Sequence, residues 1–423
     1  MKEYDVIVVG AGLAGLIAAA AAAGDGARVL LAAKGAGAIT VGGGTIDILG
    51  YGDDGRPVAD PAAAIAALPD SHPYGKLGLP AVQAATDFFL TLCAEAGYPY
   101  CGSLAANRWL PTAAGTLKPA CFVPKTMNTA DAAVADSVVI LGFAGLRDYR
   151  PEVIVQGLSR RPGFRQKHFS VVTIDGGFTS GRDATALDVA RWLDSGAGRA
   201  ECREQLAKRI PAGRLVLLPP VLGTRPDYTV WEEFEQAAGC RLLELAGIPP
   251  AVTGFRLRSL LLAFLRRRGV AILEQASVTG AVVANGRCQA VVTGQPDRER
   301  QYRASAYVFA TGGFLGGGLV ASAGAARESV FSLPLTVPSD QLAWSNPRLL
   351  SVAAQPFARF GVETDRDLRP LDAAGRVVLD NVHFAGAILA GCDHSQEKSG
   401  NGVAVVSGYC AGTAARRNGH EKV

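Results

Sequence analysis

The turn Gly10-Ala11-Gly12-Leu13-Ala14-Gly15 constrains this chain more than any other feature, because an apolar β-branched run precedes it and an alanine-rich stretch follows. Asp5 to Val9 reads as a buried parallel strand, Leu16 to Ala23 as a helix and Arg28 to Ala32 as a second strand. In such a βαβ start Gly10 permits the tight turn, Gly12 lets a pyrophosphate approach the backbone, and Gly15 lets helix and strand pack closely. The amides of Leu13, Ala14 and Gly15 at the helix start would hold the phosphates.

The usual companion of that turn is missing. An Asp or Glu ending the second strand would bind the adenosine ribose hydroxyls, but Ala33-Lys34-Gly35 stands there. A lysine ammonium cannot accept hydrogen bonds from a ribose, although it can face a phosphate. Lys34 therefore points to a mononucleotide cofactor, FMN, with FAD as the alternative.

Two further motifs return the chain to the same place. Val308-Phe309-Ala310-Thr311-Gly312-Gly313 reads as an apolar strand ending in a glycine turn, a recurrent feature of two-dinucleotide flavoproteins. Asn381 to Gly386 reads as another strand, followed through Gly391 by Ser399-Gly400-Asn401-Gly402-Val403 and a small-residue helix over 402–415. Amides at the start of that helix would face the flavin pyrimidine edge, where the positive end of the helix dipole stabilises the anionic reduced ring. The loop Val41 to Asp47, with Gly43, Gly44 and Thr45, is expected to run beside the flavin ring.

At 423 residues the chain is longer than one hydrophobic core usually supports. From about Ser137 a second strand–helix alternation begins: strands at 138–142, 169–174 and 215–218, helices at 151–161, 183–195 and 228–237. The expected organisation is a Rossmann-like flavin-binding α/β domain in two parts, 1–130 and 249–423, with an inserted α/β cap or substrate domain at 131–248. Hydrophobic residues at 49% against 19% charged residues exclude a disordered chain.

A net charge of +4 on this length leaves no nucleic-acid footprint, and the basic stretches Arg160–His168 and Arg266–Arg268 read as solvated surface. The eight cysteines contain no C-x-x-C pair, so no metal or iron–sulfur cradle is expected. Leu13–Ala23 is too short to cross a bilayer, and the acidic residues Glu3 and Asp5 precede it where a leader would be basic. The expected location is the cytoplasm, with any membrane association supplied by another chain.

Taken in order, these motifs resemble the fumarate reductase and succinate dehydrogenase flavoprotein superfamily. Along almost the whole chain they look more like the B-type subunits of anaerobic glycerol-3-phosphate dehydrogenases. His72-Pro73-Tyr74, Gly115-Thr116-Leu117, Gly142 to Leu146, Ala190 to Asp194, Gly254 to Leu257, Gly316 to Val320 and Leu368-Arg369-Pro370 carry that closer resemblance. It implies an FMN-containing subunit of a three-part complex, completed by a second flavoprotein subunit and a membrane-associated iron–sulfur subunit. Such a complex passes electrons from glycerol 3-phosphate, a small phosphorylated substrate, to quinone. The segment Lys398 to Gly402 is less purely glycine than that family's pattern.

Hydride transfer from an alcohol carbon needs a base for the hydroxyl proton and cations for a phosphate. His72 is the candidate base; Arg256 and Arg369 are the candidate phosphate clamps. His383 reads as a packed histidine and His394 is too isolated to mark a metal site. No hydrolase or nucleotide-triphosphatase motif is present. The subunit would either take the hydride itself or relay electrons from a partner, the scarcity of bases favouring the relay. The rival readings are a stand-alone FAD oxidoreductase of the fumarate reductase type and a non-enzymatic scaffold that keeps the flavin fold.

Overall fold

The computed structural model describes residues 3–24, 26–132, 135–177, 183–294, 299–348 and 354–420. The chain is an α/β protein of two units, one made of residues 1–38, 47–92 and 261–423, the other of residues 39–46 and 93–260.

The first unit is built on a sheet that, among the described residues, has seven strands. Its parallel part runs Ala271–Leu273, Val29–Ala32, Glu3–Val9, Arg300–Phe309 and Val382–Phe384, in that spatial order. Val278–Ala284 and Arg287–Thr293 extend it as an antiparallel hairpin against the start of Arg300–Phe309. Residues Val6 to Val9 and Ala306 to Phe309 are buried throughout, which is why they read as continuous apolar runs rather than alternating ones.

Two helices cover this sheet through small residues. All ten residues of Leu13–Ala22 are buried. The closing helix Gly400–His420 lies against it so closely that a Cβ at Gly408 would stand 2.4 Å from the Ala14 carbonyl oxygen. At Gly412 it would stand 2.3 Å from that of Ala18. Alanine on one helix and glycine four apart on the other are what let two backbones touch.

The second unit has a parallel sheet ordered Arg241–Glu244, Leu215–Leu218, Ser137–Phe143, His168–Ile174. Helices Pro151–Leu158, Ala186–Asp194, Gly196–Arg209 and Thr229–Ala238 connect these strands. Ile140, Val216, Leu217, Val189 and Leu193 form part of its core, each fully buried.

This division differs from the expected insertion at 131–248. Short antiparallel pairs, Tyr100–Gly102 with Phe122–Pro124 and Arg108–Pro111 with Leu117–Ala120, belong to the second unit. They are tied to its parallel sheet by a bridge from Thr112 to Ala246 and by the Tyr228 hydroxyl, which accepts from the Lys125 N–H at 2.9 Å. Ile46 pairs with Phe122, which brings the glycine loop 39–46 into the same unit. Among the described residues no helix is long and apolar enough to cross a membrane.

Candidate flavin-binding site

In the first unit the chain changes direction between the neighbouring parallel strands Glu3–Val9 and Arg300–Phe309, one leading on to Val29–Ala32 and the other lying on the opposite side. A crevice at the carboxyl ends of such a strand pair is where open α/β sheets take ligands. Both strand ends here are glycine turns in contact. Gly10 has φ +107°, and a Cβ on it would stand 2.3 Å from the Ala310 carbonyl oxygen. A Cβ at Gly15 would stand 1.8 Å from the Gly10 carbonyl oxygen. Only glycine fits either position.

Gly12 is different. It is the N-cap of Leu13–Ala22, with no side-chain cap and no acidic residue in the first turn. A Cβ added there meets nothing within 4 Å. The amides of Leu13, Ala14 and Gly15 have no intrahelical acceptor, as in any first turn. They sit at the positive end of the helix beside open space. The loop residue Gly37 closes one side, where a Cβ would come 2.6 Å from the Gly12 Cα.

Thr311 follows the second strand end, and its Oγ1 is buried without a hydrogen-bond partner. Such an orphaned hydroxyl costs about 1–3 kcal/mol unless a ligand or water engages it. Gly312 has φ +81°, and a Cβ at Gly313 would stand 2.9 Å from the Ala387 carbonyl oxygen. Gly386, also at φ +81°, donates its N–H to Ser407 Oγ at 2.9 Å and lies where a Cβ would touch the Ala14 side chain. Gly10 to Gly15, Thr311 to Gly313 and Gly386 are thus brought to one place. An open helix start and an unmatched buried hydroxyl fit a bound dinucleotide.

The closing helix contributes less than expected. The Gly402 N–H donates to the Asp47 carbonyl at 3.0 Å and the Val403 N–H to that of Ser399 at 2.8 Å. A Cβ at Gly402 would stand 2.3 Å from the Tyr74 hydroxyl. Gly402 is therefore glycine for packing, and of the four predicted residues Gly400 and Asn401 stand nearest the helix start. Lys34 is exposed.

Gly43, Gly44 and Thr45 lie in the second unit. There the Gly43 carbonyl accepts from Thr253 Oγ1 at 2.8 Å and the Gly44 carbonyl from the Tyr100 hydroxyl at 2.6 Å. The Lys118 ammonium donates to the buried Thr45 Oγ1 at 2.8 Å. The sequence marks these residues for their glycines alone and offers no sign of those partners.

Two of the three candidate catalytic side chains are enclosed. His72 caps the short helix Pro73–Leu77, its Nδ1 accepting from the Tyr74 N–H at 3.0 Å. Its Nε2 therefore carries the proton and donates to Glu397 Oε2 at 3.2 Å. Glu397 also accepts from the Ser399 hydroxyl and the Asp393 N–H. Burial pushes its carboxyl up, but His72 and the other donors outweigh that and hold it below the usual carboxylate range. With both nitrogens engaged, His72 is a structural cap and not the free base expected from its sequence.

Arg256 lies in the second unit and its side chain is 1% exposed. Its Nη1 and Nη2 donate to the two Glu244 oxygens at 2.7 and 2.9 Å, and its Nε to the Gly223 carbonyl at 2.8 Å. Burial disfavours both charges, but each raises or lowers the other's pKa so that the pair stays ionised. Thr126 Oγ1 and the Leu222 N–H complete the Glu244 carboxylate. The expected phosphate clamp is thus an internal ion pair.

Arg369 reaches Asp365 Oδ2 through Nε and Nη2 at 2.9 and 2.7 Å, with about a third of its side chain exposed. It alone of the three keeps accessible surface. His383 is fully buried, its Nδ1 against the Asp367 carbonyl at 2.7 Å, and burial lowers its pKa.

A model of the FAD binding domain family matches residues 5–403. A probable anaerobic glycerol-3-phosphate dehydrogenase B-type subunit from Halobacterium salinarum is 32% identical over 431 residues, covering 99% of both chains. The corresponding B-type subunit of the anaerobic glycerol-3-phosphate dehydrogenase of Vibrio cholerae is 31% identical over 425 residues, covering 97% of this chain and 96% of its own. Among solved structures, a 3-ketosteroid Δ1-dehydrogenase from Sterolibacterium denitrificans covers 99% of the chain at 13% identity and a TM-score of 0.47, too distant to inform the chemistry.

The family match overturns the FMN expectation. That expectation rests on the missing acid beside Lys34, yet the FAD-binding family model matches residues 5–403, and the group is FAD. This chain belongs to the FAD binding domain family and, within it, to the family of B-type subunits of anaerobic glycerol-3-phosphate dehydrogenase.

Proposed function

We propose that this chain is the FAD-carrying, electron-relaying subunit of a complex that oxidises glycerol 3-phosphate to dihydroxyacetone phosphate and passes the electrons to quinone. The observation that carries this reading is the near full-length likeness to relatives named as the B-type subunit of that dehydrogenase. Bound FAD would supply a two-electron acceptor. The chain's own part is to hold it: the amides of Leu13, Ala14 and Gly15 bind the pyrophosphate and the Thr311 hydroxyl donates to the cofactor. Gly386 lets the backbone pass close by, and the start of the closing helix at Gly400 and Asn401 places a positive dipole at the pyrimidine edge.

The relay role is favoured over direct oxidation because a base is scarce. His72 has both ring nitrogens engaged, and Arg256 is closed by Glu244. Arg369, partly exposed, is the remaining cation for a substrate phosphate. A second flavoprotein subunit would then hold the substrate, and an iron–sulfur subunit would carry electrons to the membrane. In that arrangement this chain works in the cytoplasm, at the inner membrane face.

The test is anaerobic reduction by glycerol 3-phosphate, followed at the flavin absorption band. The purified chain alone should stay oxidised, and addition of its partner subunits should bleach it. Bleaching of the isolated chain would assign it the hydride step and contradict the relay.

The second reading is a FAD oxidoreductase that works alone, of the fumarate reductase type. It draws on the family match, which describes FAD binding without reference to partners. Turnover of fumarate by the isolated chain with an artificial donor would establish it. A scaffold without cofactor is disfavoured by Gly12, which keeps open space at the helix start, and by the orphaned Thr311 hydroxyl.

A further inference from the structure

The tract Arg266–Arg268 reads in the sequence as solvated surface, but the fold gives two of its three arginines a particular setting. A helix ends at Arg267, and Gly269, at φ +75°, turns the chain toward the strand Ala271–Leu273. That strand neighbours Val29–Ala32, which in turn neighbours Glu3–Val9. All three are parallel, so their amino ends share one edge, opposite the glycine turns of the cofactor site. Seven residues of Glu3–Val9 at about 3.3 Å each put roughly 20 Å between that edge and Gly10.

A cleft of about 940 Å³ lies at this edge, within the first unit. Its cations are Arg28, Arg267 and Arg268, with Glu3 and Tyr4 beside them. A Cβ added at Gly26 or at Gly269, both in its lining, meets nothing within 4 Å, so the space is open. Arg28 is committed: its N–H and its guanidinium hold Asp5 at 2.7 and 2.8 Å. Asp5, and after it Glu3, therefore answer the Arg28 charge. The Arg268 guanidinium lies 5.1 Å from the centre of the Phe264 ring, a contact that orients it without neutralising it. Neither Arg267 nor Arg268 has an ion pair among the described residues, and both are exposed. Two positive charges are thus left unanswered.

We infer that this cleft is a second ligand site of the chain, taking a phosphate-bearing group. Its volume falls within the range of small-molecule sites, roughly 300–1,000 Å³. A guanidinium presents a planar fork that matches two phosphate oxygens, and two such forks suit a multiply charged group. Half-buried Tyr4 adds a hydroxyl to the same lining. A soluble phosphate ester and the headgroup of an anionic phospholipid share this chemistry. Either would bind apart from the FAD cradle, so the inference does not depend on the FAD assignment.

The experiment uses the full-length chain with its flavin bound, which keeps the pyrophosphate cradle filled. Calorimetric titration with inorganic pyrophosphate tests the soluble source. Sedimentation with vesicles of phosphatidylglycerol, against vesicles of phosphatidylcholine, tests the lipid source. Saturable binding is expected in at least one arm. Arg267→Gln should weaken it roughly tenfold, and adding Arg268→Gln should weaken it again, the usual worth of a hydrogen bond to a charged group. Flavin absorption and the unfolding midpoint should stay as in wild type, because both side chains are exposed. Binding of pyrophosphate assigns the site to a soluble ester, and binding of phosphatidylglycerol vesicles alone assigns it to a headgroup. No binding in either arm, or binding that the double variant keeps, would overturn the site. Loss of flavin together with the anion would overturn its separation from the cofactor.

Discussion

The two parallel sheets of this chain are built alike and end differently. In the first unit the chain reverses between Glu3–Val9 and Arg300–Phe309; in the second, between Ser137–Phe143 and Leu215–Leu218. Topology puts a crevice at the carboxyl ends of both pairs. In the first, the helix start at Leu13, Ala14 and Gly15 has amides with no intrahelical acceptor, and the Thr311 hydroxyl is buried without a partner. In the second, Leu218 runs into Pro219-Pro220, which have no N–H to offer, and the loop beyond is buried. There the Leu222 N–H goes to Glu244 and the Gly223 carbonyl to Arg256. Sheet order chooses where a site can be, and the chemistry of the strand ends decides whether one exists.

The sharpest way to break that contrast is to open the closed end. Arg256→Met should destabilise the protein by about 3–5 kcal/mol, because it strands the Glu244 carboxylate in the core. Replacing Glu244 by Leu as well should recover most of that loss. Urea unfolding of the single and double variants measures both. Were Arg256 instead a substrate clamp, Arg256→Lys would lower activity while the unfolding midpoint stayed put.

A smaller effect is expected at His72. Loss of the helix cap and of the partner of buried Glu397 should make His72→Ala less stable by about 2 kcal/mol. Its FAD spectrum should be retained, since the residue is structural. An inactive variant of normal stability would return His72 to the chemistry.

Gly12 sharpens the comparison from the open side. Gly12→Val adds a side chain into empty space, so the unfolding midpoint should hold, while FAD affinity falls about thirtyfold, or ~2 kcal/mol. A variant that unfolds instead would mean that Gly12 serves packing, as Gly10 and Gly15 do.

The mildest contrast is in pH. Burial lowers the pKa of His383 from its ordinary 6.5, with Asp367, Asp365 and Arg369 nearby as smaller influences. The unfolded chain then takes up a proton first, so this stability is present above about pH 6.5 and lost as pH falls below it. Glu244 is depressed below its ordinary 4.5, with burial opposing and Arg256 prevailing. Its contribution is present above about pH 4.5 and lost as pH falls through its folded value. On acid titration followed by amide exchange, the first unit should loosen before the second. The reverse order would contradict these assignments.

What the sequence makes legible follows from range. The βαβ start, the strands at 138–142, 169–174 and 215–218, and the glycine turns are local patterns, and the structure has them within a residue or two. The helix Gly196–Arg209 escapes because its buried stripe is only Gly198, Cys202 and Leu206. Arg241–Glu244 is too short for periodicity to register. The antiparallel pairs around Pro111, Pro119 and Pro124 read as loop because proline interrupts them. Glu397 stands 325 residues from His72, and no local signal joins them. Lys34 read alone suggests FMN, whereas the pattern matched over residues 5–403 is that of FAD binding.

The most direct test of the account is to purify the chain without harsh treatment and identify by mass the flavin released on denaturation. The account predicts FAD, one molecule per chain, lost in Gly12→Val and kept in His72→Ala. FMN in its place, or FAD retained equally by both variants, would contradict the claim that the open strand ends of the first unit form the dinucleotide site.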